Sequence, residues 1–264
     1  MIVLTHFPIP AWLVLGLCLL FQTSLARAGR AERISYLGIE FIAYWVDLES
    51  DELSLSWRDS AGKALGSFAR LREHLGPRSS DLKFAINAGI FSRDYEPLGL
   101  HVEESNVLRS LNLRSVENGQ VNFYMKPNGV FYLTDQTPGI LESDEFARSG
   151  IRPRIASQSG PLLVRAGKIH PSFKPGSSNL HWRSGVGLTK SNQVVFVISL
   201  TAINFHDFAR LFLARLACDN ALYLDGDICA IYLPELGYRG EDSKSRFAGM
   251  FAVTGKPKAA SQRR

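Results

Sequence analysis

The sequence has 264 residues, of which 45% are hydrophobic and 21% charged, with a formal net charge of +5 and three cysteines. Of its 30 basic residues, Arg27 lies near the N-terminus and four lie in the last nine residues, so the body between them balances 25 acidic residues with 25 basic ones. A neutral body with a short basic tail gives no support to nucleic-acid binding, and we expect no nucleic-acid partner.

The N-terminal segment has the pattern of an export signal. An apolar run at 11–21 is followed by polar residues and by Ala26-Arg27-Ala28, a small-x-small pattern typical of signal peptidase cleavage. We therefore predict a signal peptide over residues 1–28 and a secreted or periplasmic protein. Because no basic residue precedes the run, an uncleaved membrane anchor is the alternative, although a bilayer span needs about 20 apolar residues. Any membrane contact would be through this segment.

Cleavage would leave one domain over residues 29–255, with a basic, disordered tail over 256–264. Two cysteines would remain, Cys218 and Cys229, and they could pair in an oxidising compartment if the fold brings them together. Neither Cys-x-x-Cys nor His-Glu-x-x-His occurs, so the sequence gives little support to a zinc site.

The first half of the chain reads mostly as strands. Alternating apolar residues predict strands at 34–39, 41–46, 53–57 and 83–86, and two hairpins, one joining 98–103 to 106–111 and one joining 121–125 to 130–133 through Asn128-Gly129. Between the third and fourth strands, Ser67 suits the N-cap of a helix that stops at Gly76-Pro77.

The second half adds the clearest helix. We expect a helical turn at 143–149 that is ended by Gly150, an interrupted apolar run at 155–164, a surface loop at 173–183 and a hairpin from 182–188 into a central strand at 194–200. A helix capped by Asn204 then leads to a buried strand at 221–224. This strand–helix–strand crossover stands in a mostly antiparallel pattern, so the predicted fold class is α+β, a single domain of antiparallel or mixed sheet with a few packed helices.

Four short strands end or break at clusters that combine polar residues with glycine. Glycine allows a ligand to approach the backbone closely, and the neighbouring amide, guanidinium and carboxylate groups offer hydrogen bonds and charge. The clusters are Asn87-Ala88-Gly89, Gln158-Ser159-Gly160, Arg183-Ser184-Gly185 and Asp225-Gly226-Asp227. The last follows a strand buried on both faces, although Asp-Gly is also an ordinary turn pair.

The order of these clusters and the amino-acid sequences around them resemble the phosphodiester glycosidase family, and most closely a bacterial branch of it. The best-known members of the family are the lysosomal uncovering enzymes. The matching segments cover most of residues 84–234; they are FAINAGIF (84–91), PLGLHVEE (97–104), NFYMKPNGVFYL (122–133), SQSGPLLVRAGKI (157–169), WRSGVGLT (182–189) and NALYLDGDICAIYLP (220–234).

The resemblance implies hydrolysis of the bond between a sugar's anomeric carbon and a phosphodiester oxygen, on a sugar-phosphate or glycopolymer substrate of the envelope or the extracellular space. Asp225 is then the expected catalytic carboxylate, as nucleophile or as base for water. Asp227 is a candidate partner and Glu103 a lesser candidate acid. Arg183 is the candidate for the phosphate, because a guanidinium matches two phosphate oxygens at once.

The remaining candidates are substrate-binding groups expected to lie with Asp225 in one cleft. Asn87 and Gln158 would orient sugar hydroxyls or hold the carboxylate, and either could instead satisfy buried backbone. The small residues of the same clusters complete the set, which comprises Gly89, Ser159, Gly160, Ser184 and Gly226.

No cofactor is implied with certainty. A divalent cation, calcium or magnesium, could be held by Asp225 and Asp227 with carbonyl oxygens, although no loop has dedicated ligand spacing. The broader family often has Asp-Gly-Gly-x-Ser where this chain has Asp225-Gly226-Asp227-Ile228-Cys229. Two further hypotheses therefore stand beside the hydrolase, namely a non-catalytic glycan-binding module on the same fold and a metal-dependent phosphodiesterase that cleaves the P–O bond.

Overall fold

The computed structural model describes residues 29–115, 121–135, 137–226, 228–240 and 246–256. The predicted signal peptide, Asp227 and the tail after Lys256 lie outside these ranges. Lys256 itself belongs to the domain, because its backbone N–H donates to the carbonyl of Ser50 and its ammonium group to that of Leu48.

The described chain is mostly strand, which confirms the α+β class and the single domain. In chain order the strands are β1 (Arg30–Tyr36), β2 (Ile39–Val46), β3 (Asp51–Ser56), β4 (Leu82–Asn87), β5 (His101–Glu103), β6 (Asn106–Arg109), β7 (Gly129–Leu133), β8 (Pro138–Glu142), β9 (Ile155–Ser159), β10 (Leu162–Arg165), β11 (Lys168–Ile169), β12 (Ser184–Thr189), β13 (Val194–Ser199), β14 (Cys218–Asp225), β15 (Ile231–Tyr232) and β16 (Met250–Gly255). The α-helices are α1 (Phe68–Leu75), α2 (Ser143–Ser149) and α3 (Phe205–Arg210), and α3 continues into a π-helical turn, Leu211–Arg215.

A seven-stranded sheet in the order β1-β2-β13-β12-β14-β10-β11 forms the centre of the molecule. Along its strands, successive side chains point alternately into two hydrophobic cores. In β2, Ile42, Tyr44 and Val46 enter the larger core, whereas Phe41 and Ala43 face the second core under α3. Because successive side chains of a strand point to opposite faces, a continuous apolar run identifies a strand covered on both sides.

The predicted crossover is confirmed. β13 and β14 each pair antiparallel with β12, which lies between them, so they run parallel to each other and are joined by α3. Asn204 caps α3 as predicted, its side-chain oxygen accepting the N–H of Asp207 at 2.8 Å. The crossover places the C-terminal end of β14 next to the N-terminal end of β12.

Two smaller sheets cover the other face of the large core. One has the order β15-β4-β16-β3 and carries α1 on its outer side, and the other has the order β6-β5-β9-β7-β8 and carries α2. Ser67 caps α1 and Gly150 ends α2 in the left-handed conformation, both as predicted. β16 lies between β4 and β3 in its sheet, although no strand is predicted from the sequence at 250–255.

Two of the three predicted hairpins are confirmed, since β12 and β13 pair antiparallel as expected, and one is wrong. β5 and β6 pair around Glu104 and Ser105, as expected. Residues 121–125 form no strand, because Asn122–Tyr124 is a single 3-10 turn, and β7 pairs with β8 and β9 instead. The Asn128 side chain is buried and donates to the carbonyl of Phe123 at 2.8 Å, which closes this segment without strand pairing.

The structure contains no bond between Cys218 and Cys229. Cys218 begins the eight-residue strand β14 and Cys229 follows its other end by four residues, so roughly 20 Å of strand separates them, against the 7 Å between Cα atoms that a disulfide allows. In the parts of the chain that are described, no helix is long and apolar enough to span a bilayer.

Candidate active site

Asp225 is the last residue of β14 and lies opposite Ser184, the first residue of β12. The Ser184 hydroxyl accepts the backbone N–H of Asp225 at 3.2 Å and donates to the Asp225 carbonyl oxygen at 3.2 Å. Ser184 is fully buried, whereas Asp225 is partly exposed. The hydroxyl thus fixes the backbone of the carboxylate residue where the sheet ends.

Asn87, at the end of β4, lies behind this pair. Its amide nitrogen donates to the Ser184 hydroxyl at 3.1 Å, and its amide oxygen accepts the N–H of Ala230 at 3.3 Å. The side chain is 1% exposed and is fully occupied by these bonds and one to the carbonyl of Ala88. Of the three roles predicted for Asn87, the structure supports the one that holds the carboxylate strand.

Two serines of β9 hold the same region from the neighbouring sheet. The Ser159 hydroxyl donates to the carbonyl of Leu224 at 2.9 Å and accepts the N–H of Ile90, and the Ser157 hydroxyl accepts the N–H of Gly89. The backbone of Gly89 lies so close to β9 that a Cβ there would overlap the carbonyl oxygen of Gln158. Glycine is therefore needed at position 89 so that the loop after β4 can pack against β9.

The turn after Asp225 is held by its own backbone. The N–H of Gly226 donates to Oδ1 of Asp225 at 2.7 Å, and the N–H of Cys229 donates to the carbonyl of Gly226 at 2.8 Å. A Cβ on Gly226 would overlap the Tyr223 hydroxyl, so glycine is required there. Gly160 has a similar role after β9, where its backbone packs on Asn128.

Asp225 lines a cleft of about 600 Å³, which we call the Asp225 cleft. Aromatic, aliphatic and cationic side chains line it; they are Ile90, Phe91, Ser92, Arg93, Tyr95, Ile228 and Arg246. Both arginines are exposed, and neither forms an ion pair within the described parts of the chain. A carboxylate and two guanidinium groups therefore face one solvent-filled space.

A tight turn presents one of these arginines. The Ser92 hydroxyl accepts the N–H groups of Asp94 and Glu96, and the backbone N–H of Ser92 donates to the Glu96 carbonyl at 2.8 Å. Arg93 is exposed at the tip of this turn. The acidic side chain at its base, Glu96, is bound to Arg58 and Arg109 and does not neutralise Arg93.

Arg183 does not have the position expected of a phosphate ligand, and the structure corrects that assignment. Its side chain is completely buried, with Nε donating to the Ile203 carbonyl at 2.8 Å and an amino group donating to Asn179. The guanidinium lies 3.5 Å from the centre of the Phe205 ring and 5.6 Å from that of Tyr223. Burial raises the pKa of the Tyr223 hydroxyl, so this tyrosine stays neutral at physiological pH. Arg183 stabilises the scaffold beneath β14.

Gln158 also points away from the Asp225 cleft, because it alternates along β9 with Ser157 and Ser159. Its side-chain oxygen accepts the N–H groups of Leu100 and Asn112, and its nitrogen donates to Asn112 and Ser143. These four bonds use the whole hydrogen-bonding capacity of the amide. Gln158 therefore satisfies buried backbone, which is the last of the three roles predicted for it.

Glu103 is not brought to the cleft either. It lies at the end of β5 with 21% of its side chain exposed, and its carboxylate contacts Nε2 of the buried His101 at 2.7 Å. No residue of β5 lines the Asp225 cleft in the described structure. The catalytic role predicted for Glu103 therefore has no geometric support.

A divalent-cation site stays a prediction. Among the described residues, no group of three or more histidine, cysteine, aspartate or glutamate side chains has the geometry to hold a metal ion. Asp227, the second predicted ligand and the candidate catalytic partner, lies outside the described residues. Asp225 offers one carboxylate, so carbonyl oxygens, water or substrate would have to supply the other ligands of calcium or magnesium.

Several residues around the site lie outside the sequence predictions. Arg93 and Tyr95 follow the NAGIF segment, and Arg246 precedes the unpredicted strand β16. The sequence signal for Arg93 is its position in the loop that follows the cluster Asn87-Ala88-Gly89, four residues after Gly89. Arg246 has no comparable motif, since only the pairing of β16 with β4 brings this end of the chain to the cleft.

Comparison with known proteins identifies the family. A family model described as phosphodiester glycosidase matches residues 80–228, which is more than half of the chain. The protein YigE of Escherichia coli (strain K12), which is described as uncharacterized, is 36% identical over 191 residues, or 72% of this chain and 73% of that protein. This chain belongs to the phosphodiester glycosidase family. The resemblance seen in the sequence is thereby confirmed.

Solved structures show the same fold. The catalytic domain of zebrafish N-acetylglucosamine-1-phosphodiester alpha-N-acetylglucosaminidase, auto-inhibited by its pro-peptide, covers 86% of this chain and 82% of its own length, with a TM-score of 0.54 and 15% identity. A hypothetical protein from Synechocystis covers 86% of this chain and 62% of its own, with a TM-score of 0.53 and 15% identity. At such low identity the likeness shows the fold alone.

Proposed function

We propose that this phosphodiester glycosidase family member is an exported hydrolase that cleaves the glycosidic bond of a sugar-1-phosphodiester, releasing free sugar and a phosphomonoester. The observation that carries the proposal is the Asp225 cleft, where one carboxylate and two arginines without described ion pairs face the same space. A sugar-1-phosphodiester has complementary charges, since positive charge develops at its anomeric carbon and negative charge on its departing phosphate.

Asp225 acts on the sugar in this proposal. During the reaction the bond between the anomeric carbon and the phosphodiester oxygen breaks, and both electrons leave with the phosphate. The carboxylate stabilises the resulting oxocarbenium-like carbon, as nucleophile or as base for the attacking water. Ser184 and Asn87 keep the carboxylate in place, because they fix the backbone on which it is mounted.

Arg93 and Arg246 act on the phosphate. Guanidinium groups bind phosphate oxygens in pairs and remain charged at any physiological pH. A phosphomonoester is already a good leaving group, so charge stabilisation replaces the strong general acid that an ordinary glycosidase needs. This division of labour is consistent with the position of Glu103 outside the cleft.

Export and an envelope or extracellular glycopolymer substrate belong to the same proposal. They are supported by the apolar segment at 11–21 and the Ala-x-Ala pattern that ends at Ala28. Determining the N-terminal residue of the protein recovered from the cell envelope tests export, with Gly29 as the expected first residue. Recovery of the uncleaved chain from the cytoplasm would contradict it.

Product analysis in heavy-oxygen water tests the reaction. We expect the protein to release free sugar from an N-acetylglucosamine-1-phosphodiester, with the heavy oxygen on the sugar and none on the phosphate. Label on the phosphate would instead indicate P–O cleavage by a phosphodiesterase. Saturable binding without turnover, across a panel of sugars and added calcium or magnesium, would indicate a non-catalytic binding module.

A further inference from the structure

A second cleft adjoins the Asp225 cleft. It measures about 670 Å³, and we call it the Lys63 cleft because Lys63, Ser67 and Arg70 line it. Tyr95 and Arg246 line both clefts, whereas Asp225 lines only the first. The two clefts therefore border each other at Tyr95 and Arg246, with Asp225 on one side and Lys63 on the other.

The Lys63 cleft is cationic. Lys63, Arg70 and Arg246 line it, and no carboxylate is among its described lining residues. Arg70 is paired with Asp59 at 2.8 Å, whereas Lys63 and Arg246 form no ion pair within the described ranges. The Asp59 carboxylate also lies close enough to Lys63 for an electrostatic interaction, so three cationic side chains face one described carboxylate beside the proposed phosphate position.

The walls of this cleft are fixed by local structure. Asp59 accepts the backbone N–H groups of Ala61 and Lys63, and the N–H of Asp59 donates to the Lys63 carbonyl at 2.9 Å. On the opposite wall, the Tyr95 carbonyl accepts the Trp57 indole N–H at 2.8 Å. Such anchoring fixes the backbone of Lys63 and of Tyr95, so only the flexible end of the lysine side chain must be ordered by a ligand.

We propose that the Lys63 cleft is a second anion subsite, which binds the next phosphate of the substrate beyond the scissile phosphodiester. If the sugar lies at Asp225 and the scissile phosphate at Arg93 and Arg246, the group attached to that phosphate continues towards Lys63. This inference rests on the proposed function and narrows the substrate to a polyanionic glycopolymer with repeated phosphodiester links. A single phosphodiester would leave the Lys63 cleft empty.

Two substrates that share one sugar test the subsite. One is an N-acetylglucosamine-1-phosphodiester with a methyl aglycone, and the other has an aglycone that carries one further phosphodiester. We expect kcat/KM of the wild-type protein to be about tenfold higher for the longer substrate, as for a charge-assisted hydrogen bond, and this ratio to fall as salt is added. Lys63→Ala should bring the ratio close to one.

Lys190→Ala is the matched control, because this lysine is exposed at the opposite end of β12 from Ser184. It should keep the wild-type ratio. If both substrates are cleaved and Lys63→Ala also keeps the wild-type ratio, the subsite is refuted while the proposed function stands.

If neither substrate is cleaved, the proposed function fails and the subsite is tested by binding alone. Calorimetric titration with inorganic tripolyphosphate should then give a Kd at least about fivefold weaker for Lys63→Glu than for the wild type or Lys190→Ala. Equal binding by all three proteins, or no binding by the wild type, would overturn the subsite.

Discussion

The hydroxyl of Ser184 bonds both the N–H and the carbonyl oxygen of Asp225, each at 3.2 Å. This pairing joins the first residue of β12 to the last residue of β14 at the point where the central sheet opens into the Asp225 cleft. The catalytic candidate is thereby mounted on a fully buried anchor and not on a free loop.

Ser184→Ala should weaken both the fold and the proposed activity. Removing the hydroxyl leaves the Asn87 amide and the Asp225 backbone without their buried partner, which should cost about 1–3 kcal/mol in the free energy of unfolding. Urea denaturation measures this loss. Ser80→Ala removes an exposed hydroxyl and should stay within about 0.5 kcal/mol. Equal stability of the two variants would contradict the anchoring role.

Gly89→Ala tests the close approach between the loop after β4 and strand β9. A Cβ at this position would overlap the carbonyl of Gln158, so we expect a loss of about 1–3 kcal/mol in the free energy of unfolding. Gly255→Ala is the control, because its nearest neighbour would be Lys83 Cε at 3.7 Å. Unfolding of the two variants at the same urea concentration would contradict the close approach of Gly89 to β9.

Arg183→Lys separates a structural role from a phosphate-binding role. Lysine cannot both bond the oxygens of Ile203 and Asn179 and lie flat on Phe205, so the free energy of unfolding should fall by about 2–4 kcal/mol. Arg148→Lys, on the exposed side of α2, should leave it unchanged. A raised KM with unchanged stability would instead support the predicted role of Arg183 as a ligand of the substrate phosphate.

His170 should make stability depend on pH. Burial lowers the pKa of this imidazole, whose Nδ1 accepts the Ser172 N–H while Nε2 contacts the Lys126 carbonyl. Between the lowered folded pKa and the unfolded value near 6.5, the unfolded chain binds the proton first, so stability is complete above pH 7 and is lost as pH falls.

Urea denaturation at pH 7.5 and at pH 5.5 measures the effect. The wild-type protein should lose more of its free energy of unfolding than His170→Gln does, because glutamine does not titrate. An equal loss in both proteins would assign the pH dependence to other groups.

The sequence predicted most of the elements because apolar periodicity and caps are local signals. Ser67, Asn204 and Gly150 ended or began their helices as predicted, and the buried run before Asp225 became the central strand β14. The prediction of a hairpin at 121–133 is wrong because an Asn-Gly pair does not always form a hairpin turn. Here the Asn128 side chain is buried and donates to the Phe123 carbonyl.

The site was predictable in part, for the same reason. Polar–glycine clusters locate the ends of strands, and these ends do surround Asp225. The sequence does not state which way a side chain points along its strand, so Gln158 and Arg183 were assigned to the cleft although both are buried behind it. Arg246 depends on a distant strand pairing, which no local pattern reveals.

The most direct test of the account is the activity of Asp225→Asn on an N-acetylglucosamine-1-phosphodiester. Asparagine keeps the oxygen that accepts the Gly226 N–H but lacks the charge, so we expect kcat to fall about 10²–10⁴-fold with urea denaturation unchanged. Asp219→Asn, at the other end of the same strand, is the matched control and should retain activity. A folded Asp225→Asn with the activity of the wild-type protein would contradict the central claim.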